Sequence, residues 1–336
     1  MTKANALKKF IKMYFGLDVD GNSPLSVLTT LIEHADNLPG SNSGTHMNNR
    51  QIEILLRGIK PASMIIDGQE LYYYTFEECI DAANNAGKPV VLNLNKDTEL
   101  DQRVEITNDV TINMNGCNLS EVNGGVLAVV KGDGTLRLNA DGSEIYGRIN
   151  VGEAGNNNGN VVIKGGDFHC AKGQTCLHLN GTCKNSNVTL SNASFVSPDD
   201  NAIQLSGNGE FIIDNCEIVG ATGIYTKSGS LYITNTNVTG NMKPANYEYY
   251  GNGSIPTGDS IVVDACEYPG GAPMVKIGTG NFLVASKNEI GYYQYDANKD
   301  GKFTPGVIIA INSSYSTPPG FVWKKRTDGW YDLVEK

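Results

Sequence analysis

Three short segments of this chain carry one pattern: residues 188–195 read VTLSNASF, residues 211–218 read FIIDNCEI and residues 231–238 read LYITNTNV. In each segment, apolar residues occupy the first, third and eighth positions, and asparagine occupies the fifth. Apolar residues at every second position place their side chains on one face of a short strand, which can then face the interior. Asparagine tolerates the positive φ of a sharp turn. The segments therefore predict repeated strand–turn–strand units.

Three earlier segments extend the repeat. They begin at Ile112, Leu136 and Val161, so the six starts are separated by 24, 25, 27, 23 and 20 residues. Glycine replaces asparagine in two of them, and the segment at Leu136 breaks the pattern with a two-residue bulge. A second set of short strands recurs between the segments, from residues 126–130 to residues 274–277. A period of roughly 24 residues is typical of solenoids.

We therefore predict a mainly β chain in which residues 109–281 form a right-handed parallel β-helix. Short, evenly spaced strands would also suit a sandwich. The sandwich is disfavoured because glycine or asparagine, the residues that allow a sharp turn, recurs at the same position of successive repeats. Six to eight rungs at about 4.8 Å each would make a column roughly 30–40 Å long.

The regions beside the repeat have different patterns. Residues 48–108 are predicted to be a transition or cap region, with a hairpin turn at Asp67-Gly68. The capping box Thr75-Phe-Glu-Glu opens a helix that is expected to end at Gly87 and to cover the first rung. Residues 282–336, which contain both tryptophans, are predicted to form a small C-terminal cap or foot domain.

Residues 1–47 predict a helical anchor and a linker. Ser23 before Pro24 is a helix N-cap signal, and PGSNSG at residues 39–44 is typical of a flexible linker. Two short helices cannot bury their apolar faces alone, so we expect them to associate across subunits or to dock on a partner. The residues of these two faces are Leu7, Phe10 and Ile11, and Val27, Leu28 and Leu31.

The composition argues against several functional classes. The net charge is −10 without a stripe of Lys or Arg, so we expect no nucleic-acid partner. The sequence contains no run of 18 apolar residues, so we expect no membrane-spanning helix. Seven scattered cysteines and an N-terminus without a continuous apolar stretch predict reduced thiols and synthesis in the cytoplasm. A β-helix that is not exported has few settings, and we expect a virion assembled inside the host cell.

Two parts of the sequence resemble known proteins. Residues 74–78 (YTFEE) and 106–119 (ITNDVTINMNGCNL) resemble the start of bacterial and phage β-helix domains. Residues 14–23 (YFGLDVDGNS) and 27–32 (VLTTLI) resemble the anchoring segment of phage head fibre proteins. The resemblance implies an oligomeric virion surface protein that is fixed to the capsid by its N-terminus. Analogy with other β-helix fibres implies a homotrimer.

The sharpest enzymatic signal is PDDNAIQLSG at residues 198–207. Asp199 and Asp200 resemble the paired aspartates of polygalacturonase-type glycosidases, which use two carboxylates around the glycosidic bond. The other motifs of that family are missing: an upstream Asn-Thr-Asp-like segment, a Gly-His-Gly and a downstream basic pair. We expect no enzyme, and prefer an ordinary Asp- and Asn-rich turn. A tailspike-type glycosidase is the alternative, and a bacterial β-helix adhesin is a third interpretation.

One segment suits calcium. Asp296, Asn298 and Asp300 match the first ligands of a calcium loop, and Gly301 follows them. Position 12 is Val307 instead of a bidentate glutamate, so any calcium site here is expected to be weak. A polar turn between strands is the preferred interpretation, and we expect no other cofactor.

A cluster of Cys and His suits zinc. Cys176 and His178 are expected to share one strand face, whereas Cys170 is expected to point elsewhere. Free cysteine also packs as a small apolar residue, which is the preferred interpretation. The members of the cluster are His169, Cys170, Cys176, His178 and Cys183.

Two clusters of tyrosines suit stacking on glycans. Tyrosine is also enriched at subunit interfaces, and the sequence leaves both interpretations open. The clusters consist of Tyr247, Tyr249 and Tyr250, and of Tyr292, Tyr293 and Tyr295.

Overall fold

The structure is a computed structural model that describes residues 60–155, 157–241, 255–266, 268, 270–294 and 305–336, with four isolated positions near the N-terminus. The chain divides into two compact units, Met1–Ile59 and Lys60–Lys336. The described positions of the first unit are all helical: Asn5, Lys8, Lys9 and Lys12.

Two predictions fall outside the described residues. The first concerns the anchor faces: Leu7, Phe10, Ile11, Val27, Leu28 and Leu31. The second concerns the calcium loop: Asp296, Asn298 and Asp300.

The described residues of the second unit are mainly β and form three sheets and one helix, α1 (Phe76–Asn84). Sheet A contains β1 (Ala62–Ile66), β2 (Gln69–Tyr73), β3 (Val90–Leu94), β6 (Asp109–Asn113), β9 (Thr135–Asn139), β12 (Asn160–Lys164), β15 (Val188–Ser191), β18 (Glu210–Asp214), β21 (Ser230–Thr234), β24 (Met274–Ile277), β27 (Val307–Ala310), β28 (Phe321–Lys325) and β29 (Tyr331–Glu335). Sheet B contains β4 (Thr98–Leu100), β7 (Leu119–Glu121), β10 (Glu144–Tyr146), β13 (Asp167–His169), β16 (Ser194–Val196), β19 (Glu217–Gly220), β22 (Asn237–Gly240) and β25 (Phe282–Ala285). Sheet C contains β5 (Val104–Ile106), β8 (Val126–Val130), β11 (Arg148–Val151), β14 (Leu177–Leu179), β17 (Asn201–Leu205), β20 (Thr222–Thr226), β23 (Ile261–Asp264) and β26 (Ile290–Tyr293).

The chain visits the three sheets in turn, and each strand from β3 to β24 pairs in parallel with the strand three places later. From β3 to β26, the described residues form eight coils of three strands each. This solenoid-like stacking is consistent with the predicted parallel β-helix. The stacking includes β3, β4 and β5, which precede Asp109. Met274–Ile277, expected in the second set of strands, instead continues the first set, because β24 pairs with β21.

Apolar rows fill the space between the sheets. On sheet A, Ile163, Leu190 and Ile213 lie side by side on neighbouring strands, and all three are fully buried. On sheet B, the rings of Phe168 and Phe195 stack with their centroids 4.7 Å apart. The alternation predicted from the sequence is therefore confirmed in these strands.

Asparagines turn the chain from sheet A to sheet B. Asn192, Asn215 and Asn235 have φ values of 54°, 51° and 51°, the left-handed region that asparagine tolerates better than most residues. The Asn215 amide also donates to the side-chain oxygen of Asn192, 2.7 Å away in the neighbouring coil. The predicted turn chemistry is thus confirmed, and the side chains link successive coils as well.

Antiparallel hairpins continue sheet A at both ends of its parallel part. At one end, β1 and β2 are joined by Asp67-Gly68, as predicted, and β1 pairs antiparallel with β3. At the other end, β28 and β29 form a hairpin, and β29 pairs antiparallel with β27. The last parallel strands of sheet A therefore have antiparallel neighbours instead of open edges.

Helix α1 begins where the sequence predicts. The Thr75 hydroxyl accepts from the backbone N–H of Glu78 at 3.0 Å, and the Glu78 carboxylate accepts from the N–H of Tyr74 at 3.2 Å. The helix ends at Asn84, slightly earlier than expected. The buried face of α1 consists of Phe76, Cys79, Ile80 and Ala83.

Among the described residues, no helix has the length and apolar content needed to cross a membrane.

We predict that the apolar row of sheet A is sensitive to truncation and to charge. Leu190→Ala should lower the free energy of unfolding by about 2–5 kcal/mol, because it leaves a cavity between Ile163 and Ile213. Leu190→Asp should cost more, because it buries an unpaired charge. Urea unfolding followed by far-UV circular dichroism measures both effects.

The matched control is Thr189→Asp, on the neighbouring, partly exposed position of the same strand. Its expected cost is under about 1 kcal/mol, as for most surface substitutions. A Leu190→Asp protein that unfolds at the wild-type urea concentration would show that Leu190 does not face the core.

Candidate functional site

The outer surface of sheet C carries a row of polar side chains. Asn150, His178, Gln204 and Tyr225 lie side by side on β11, β14, β17 and β20. We call these four residues the polar row. They face outward because the strand positions beside them, such as Leu177 and Leu179, belong to the core. Tyr225 is fully buried and the other three are partly buried, so the row is largely shielded from solvent.

Arg148 lies on the same face of β11 as Asn150 and interacts electrostatically with Asp200. Burial lowers the pKa of the Arg148 guanidinium, and the negative charge of Asp200 opposes that shift. Burial likewise raises the pKa of Asp200; the Asn201 N–H opposes the shift, the charge of Asp199 adds to it, and Arg148 opposes it. The two side chains therefore form an interacting pair of opposite charge in a partly buried setting.

Asp199 and Asp200 are both engaged in turn contacts. The carboxylate of Asp199 accepts from the N–H of Gly173 at 2.6 Å, which joins two neighbouring coils. The carboxylate of Asp200 accepts from the N–H of Asn201 at 2.7 Å, and its own N–H donates to the Ser197 hydroxyl at 3.2 Å. These are the contacts of an aspartate-rich turn.

His178 is uncharged at neutral pH. Burial lowers its pKa to about 4, and the positive charges of Arg148 and Lys227 act in the same direction. A neutral imidazole has one donor and one acceptor nitrogen. His178 therefore contributes hydrogen-bonding capacity to the polar row without adding charge.

Lys227 and Asp264 extend the site at the end of the polar row. Both are fully buried, and they follow the paired residues Thr226 and Val263 on neighbouring strands. The Tyr225 hydroxyl donates to the Asp264 carboxylate at 2.9 Å. The Lys227 ammonium lies 5.6 Å from the centroid of the Tyr225 ring, within cation–π range. Burial lowers the pKa of Lys227, and the neighbouring Cys266 and Asp264 oppose the shift.

Tyr268 lies over this end of the site. Its ring centroid is 5.3 Å from the Lys227 ammonium. A Cβ atom at Gly181 would lie 2.1 Å from Cε1 of Tyr268, so only glycine allows the ring to come so close. The close approach of Tyr268 thus helps to explain why charged residues on an outer surface are buried.

Two buried atoms on β11 keep unused hydrogen-bonding capacity. Nε of Arg148 and Oδ1 of Asn150 have no hydrogen-bond partner among the described residues. Buried polar atoms normally have one. One donor and one acceptor therefore remain unsatisfied beneath the outer surface of sheet C.

The candidate zinc residues separate into different places. His169 belongs to sheet B and stacks on Tyr146, with ring centroids 5.2 Å apart. The sulfur of Cys183 faces the carbonyl oxygen of Asn157 at 3.5 Å. His178 belongs to the polar row. The described residues contain no group of three or more His, Cys, Asp and Glu that could hold a metal ion.

Cys170 and Cys176 do come together. Their sulfur atoms lie 3.2 Å apart, so the expectation that Cys170 points elsewhere is wrong. Cys170 precedes an exposed turn that brings the chain back to β14, and this return could not be derived from the spacing of the cysteines.

The described tyrosines of the predicted clusters make contacts within the protein. The ring of Tyr292 lies 5.0 Å from that of Phe321, and the Tyr293 hydroxyl donates to Asp259 at 2.6 Å. Tyr247, Tyr249, Tyr250 and Tyr295 lie outside the described residues.

A different aromatic group, which no sequence pattern predicts, lies on the outer surface of sheet A. Tyr232, which is 39% exposed, and Trp330 flank Lys276. The Lys276 ammonium lies 5.4 Å from the Tyr232 ring centroid and 4.4 Å from that of Trp330. Since Tyr232 and Lys276 are paired across β21 and β24, only the strand register reveals that they are neighbours.

Comparisons with protein-family models, with curated proteins and with solved structures find no match for this chain. The outer surface of sheet C combines buried cations, carboxylates and a neutral imidazole. The outer surface of sheet A has an exposed tyrosine and a partly buried tryptophan beside a lysine.

We predict that His178 makes the stability of the protein depend on pH. Its pKa is about 4 in the folded protein and 6.5 ordinarily, so the unfolded chain takes up the proton first. The free energy of unfolding should therefore fall as the pH falls from about 6.5 to about 4, by on the order of 3 kcal/mol. Urea unfolding of wild type and His178→Gln across this range isolates the contribution.

The control is His169→Gln, which removes the histidine that stacks on Tyr146 and leaves His178 in place. Between pH 6.5 and pH 4, the free energy of unfolding of His169→Gln should fall as much as that of the wild type. It should therefore fall more than that of His178→Gln. Equal pH dependence in wild type and His178→Gln would contradict the assignment of a low pKa to His178.

Proposed function

We propose that this chain is a structural, non-enzymatic protein of a phage virion, a head fibre or a decoration of the capsid surface, assembled in the host cytoplasm. In this proposal the stacked sheets are a right-handed parallel β-helix, and the C-terminal hairpin is its small cap. The observation that carries the proposal is the series of eight coils, whose largest sheet continues into an antiparallel hairpin at each end. Such a series suits a rigid display element.

The N-terminal residues are proposed to anchor the protein. Residues 1–59 form a unit separate from the stacked sheets, and their sequence resembles the anchoring segment of head fibre proteins. The apolar faces of two short helices would be buried between subunits, for which we propose a homotrimer, and against another virion protein. This division assigns attachment to one unit and display to the other.

Contact with host glycans is proposed for the exposed aromatic group on sheet A. The Lys276 ammonium lies over the rings of both Tyr232 and Trp330, and the exposed part of the Tyr232 ring is a surface on which a sugar can stack. A sugar has apolar ring faces and polar hydroxyl groups. An aromatic side chain can contact the apolar face while a polar neighbour contacts a hydroxyl group. The aromatic group would thus place a binding surface on the side of the column.

We predict that deletion of residues 1–47 separates folding from attachment. The truncated protein should keep the strand-dominated circular dichroism spectrum of the full chain, because the stacked sheets begin after residue 60. It should no longer sediment with particles that lack the native protein. Light scattering should give the mass of a trimer for the full chain.

A matched control carries Leu7→Ser, Phe10→Ser and Val27→Ser in the full-length chain, which keeps the length and interrupts both apolar faces. It should also fail to attach. A truncated protein that still covers the particles at full occupancy would place the anchor outside residues 1–47, and the C-terminal segment with Trp323 and Trp330 would be the next candidate.

A second candidate function is a polysaccharide-degrading tailspike. One observation favours it: burial raises the pKa of Asp200, and a raised pKa is what a general acid of a glycosidase requires. Asp199 would be the second carboxylate. Against this role, Asp199 already accepts a hydrogen bond from Gly173 in the neighbouring turn.

We predict that the purified protein releases no reducing ends from pectin or from polysaccharides of the host surface. The test compares wild type with the double variant Asp199→Asn and Asp200→Asn. Asp141→Asn and Asp167→Asn, at exposed positions of other coils, serve as controls. The opposite result is that the wild type releases reducing ends and that only the Asp199 and Asp200 double variant abolishes the release. That result would refute the structural function and establish the glycosidase.

A further inference from the structure

Cys170 and Cys176 stand at the two ends of one short turn between β13 and β14. The middle of the turn, Lys172 and Gly173, is exposed. The two sulfur atoms are 3.2 Å apart, and both approach the carbonyl oxygen of Val196 in the next coil, at 3.7 Å and 3.3 Å. The backbone of the neighbouring coil therefore helps to hold the two thiols together.

This pair differs from the other cysteines of the chain. All seven cysteines are free thiols, and the contact between Cys170 and Cys176 is the one thiol–thiol contact that the described residues make. Cys170 is partly exposed, whereas Cys176 is fully buried. A reagent from solvent therefore meets Cys170 first, and Cys176 is the thiol within reach behind it.

We propose that Cys170 and Cys176 form a reversible oxidation site, which a peroxide converts into an intramolecular disulfide. The sulfur atoms of a disulfide are about 2 Å apart. Side-chain rotations that bring the two sulfur atoms roughly 1 Å closer therefore suffice to form the bond. Because the two residues bracket a turn, the bond ties its ends together without requiring the strands to move.

The reaction balances in two steps. The Cys170 thiolate attacks one oxygen of hydrogen peroxide, the O–O bond breaks, and Cys170 sulfenic acid and hydroxide form. The Cys176 sulfur then attacks the Cys170 sulfur, the S–O bond breaks, and the departing hydroxide leaves as water with the proton of the Cys176 thiol. The thiols lose two electrons in total, and the peroxide is reduced to water.

The surroundings of Cys170 favour the first step. The Cys176 thiol donates to the Cys170 sulfur and thereby lowers the pKa of Cys170; burial opposes this shift, and the Ser197 hydroxyl supports it. The Cys176 pKa is raised well above its ordinary value for the complementary reason. Cys170 is thus the attacking thiol and Cys176 the resolving one.

The disulfide would fix the turn that contacts Asp199. Gly173, in the middle of this turn, donates its N–H to the Asp199 carboxylate. Oxidation would therefore restrain the contact between two neighbouring coils beside Asp200 and Arg148. The site needs neither a metal nor the proposed attachment function.

The experiment treats the full-length protein with hydrogen peroxide and counts thiols after denaturation. The count should fall from seven to five, and dithiothreitol should restore it. Trypsin cleaves after Lys164, Lys172 and Lys184, so a non-reducing digest should contain residues 165–172 linked to residues 173–184. Reduction should separate the two peptides.

Three variants define the partners. Cys170→Ser and Cys176→Ser should each abolish the linked peptide. Cys117→Ser, at the other partly exposed cysteine, should leave it unchanged. Cys183→Ser should also leave it unchanged, which assigns the bond to Cys176 because Cys183 lies in the same tryptic peptide.

The wild-type digest alone can overturn the proposal, even where a variant fails to fold. The proposal is wrong if residues 165–172 and 173–184 stay unlinked at a peroxide concentration that oxidises Cys117. It is equally wrong if the bond joins Cys170 to Cys183, or if Cys170 proceeds to sulfinic acid while Cys176 remains a thiol.

Discussion

The structure depends on one constraint: the backbone of every coil must pair with the coil on either side. Parallel pairing fixes the strand register, so a coil can lengthen or shorten only between strands, and each turn must recur at the same place. Positive φ at Asn192, Asn215 and Asn235 meets this requirement. The Asn215 amide adds a link to Asn192, so the residue that permits the turn also joins the coils.

The same constraint decides where chemistry can occur. Inward positions are taken by apolar rows such as Ile163, Leu190 and Ile213, in which an unpaired charge would be costly. Ionisable groups are therefore confined to the outer surfaces and the turns. On sheet C the outer surface is itself covered, partly by Tyr268, so burial shifts the pKa values of His178 and Lys227 downward. Shielding, more than the presence of charged residues, makes this surface unusual.

Much of the fold could be predicted from the sequence because its signals are local. Alternation marked the strands, the Asn at the fifth position marked the turns, and Asp67-Gly68 and Thr75 marked a hairpin and a helix. The candidate site was less accessible, because its residues meet only through strand register. Arg148 and Asp200 lie 52 positions apart in the chain, yet they interact, and no spacing rule links Lys276 to Tyr232. The contact between Cys170 and Cys176 depends on the path of a turn that carries no strong signal of its own.

The separation between core and outer surface also explains why the fold leaves the function open. The inward rows stabilise the coils whatever the outer positions carry, so one scaffold can serve for display or for catalysis. Asp199 illustrates the point: its carboxylate is occupied by the N–H of Gly173, whereas the neighbouring Asp200 has the raised pKa that an acid would need. Asp200 also accepts a backbone hydrogen bond, from the N–H of Asn201, so both carboxylates have the contacts of turn residues. These turn contacts, together with the missing companion motifs of the glycosidases, are the grounds on which we propose display instead of glycoside hydrolysis.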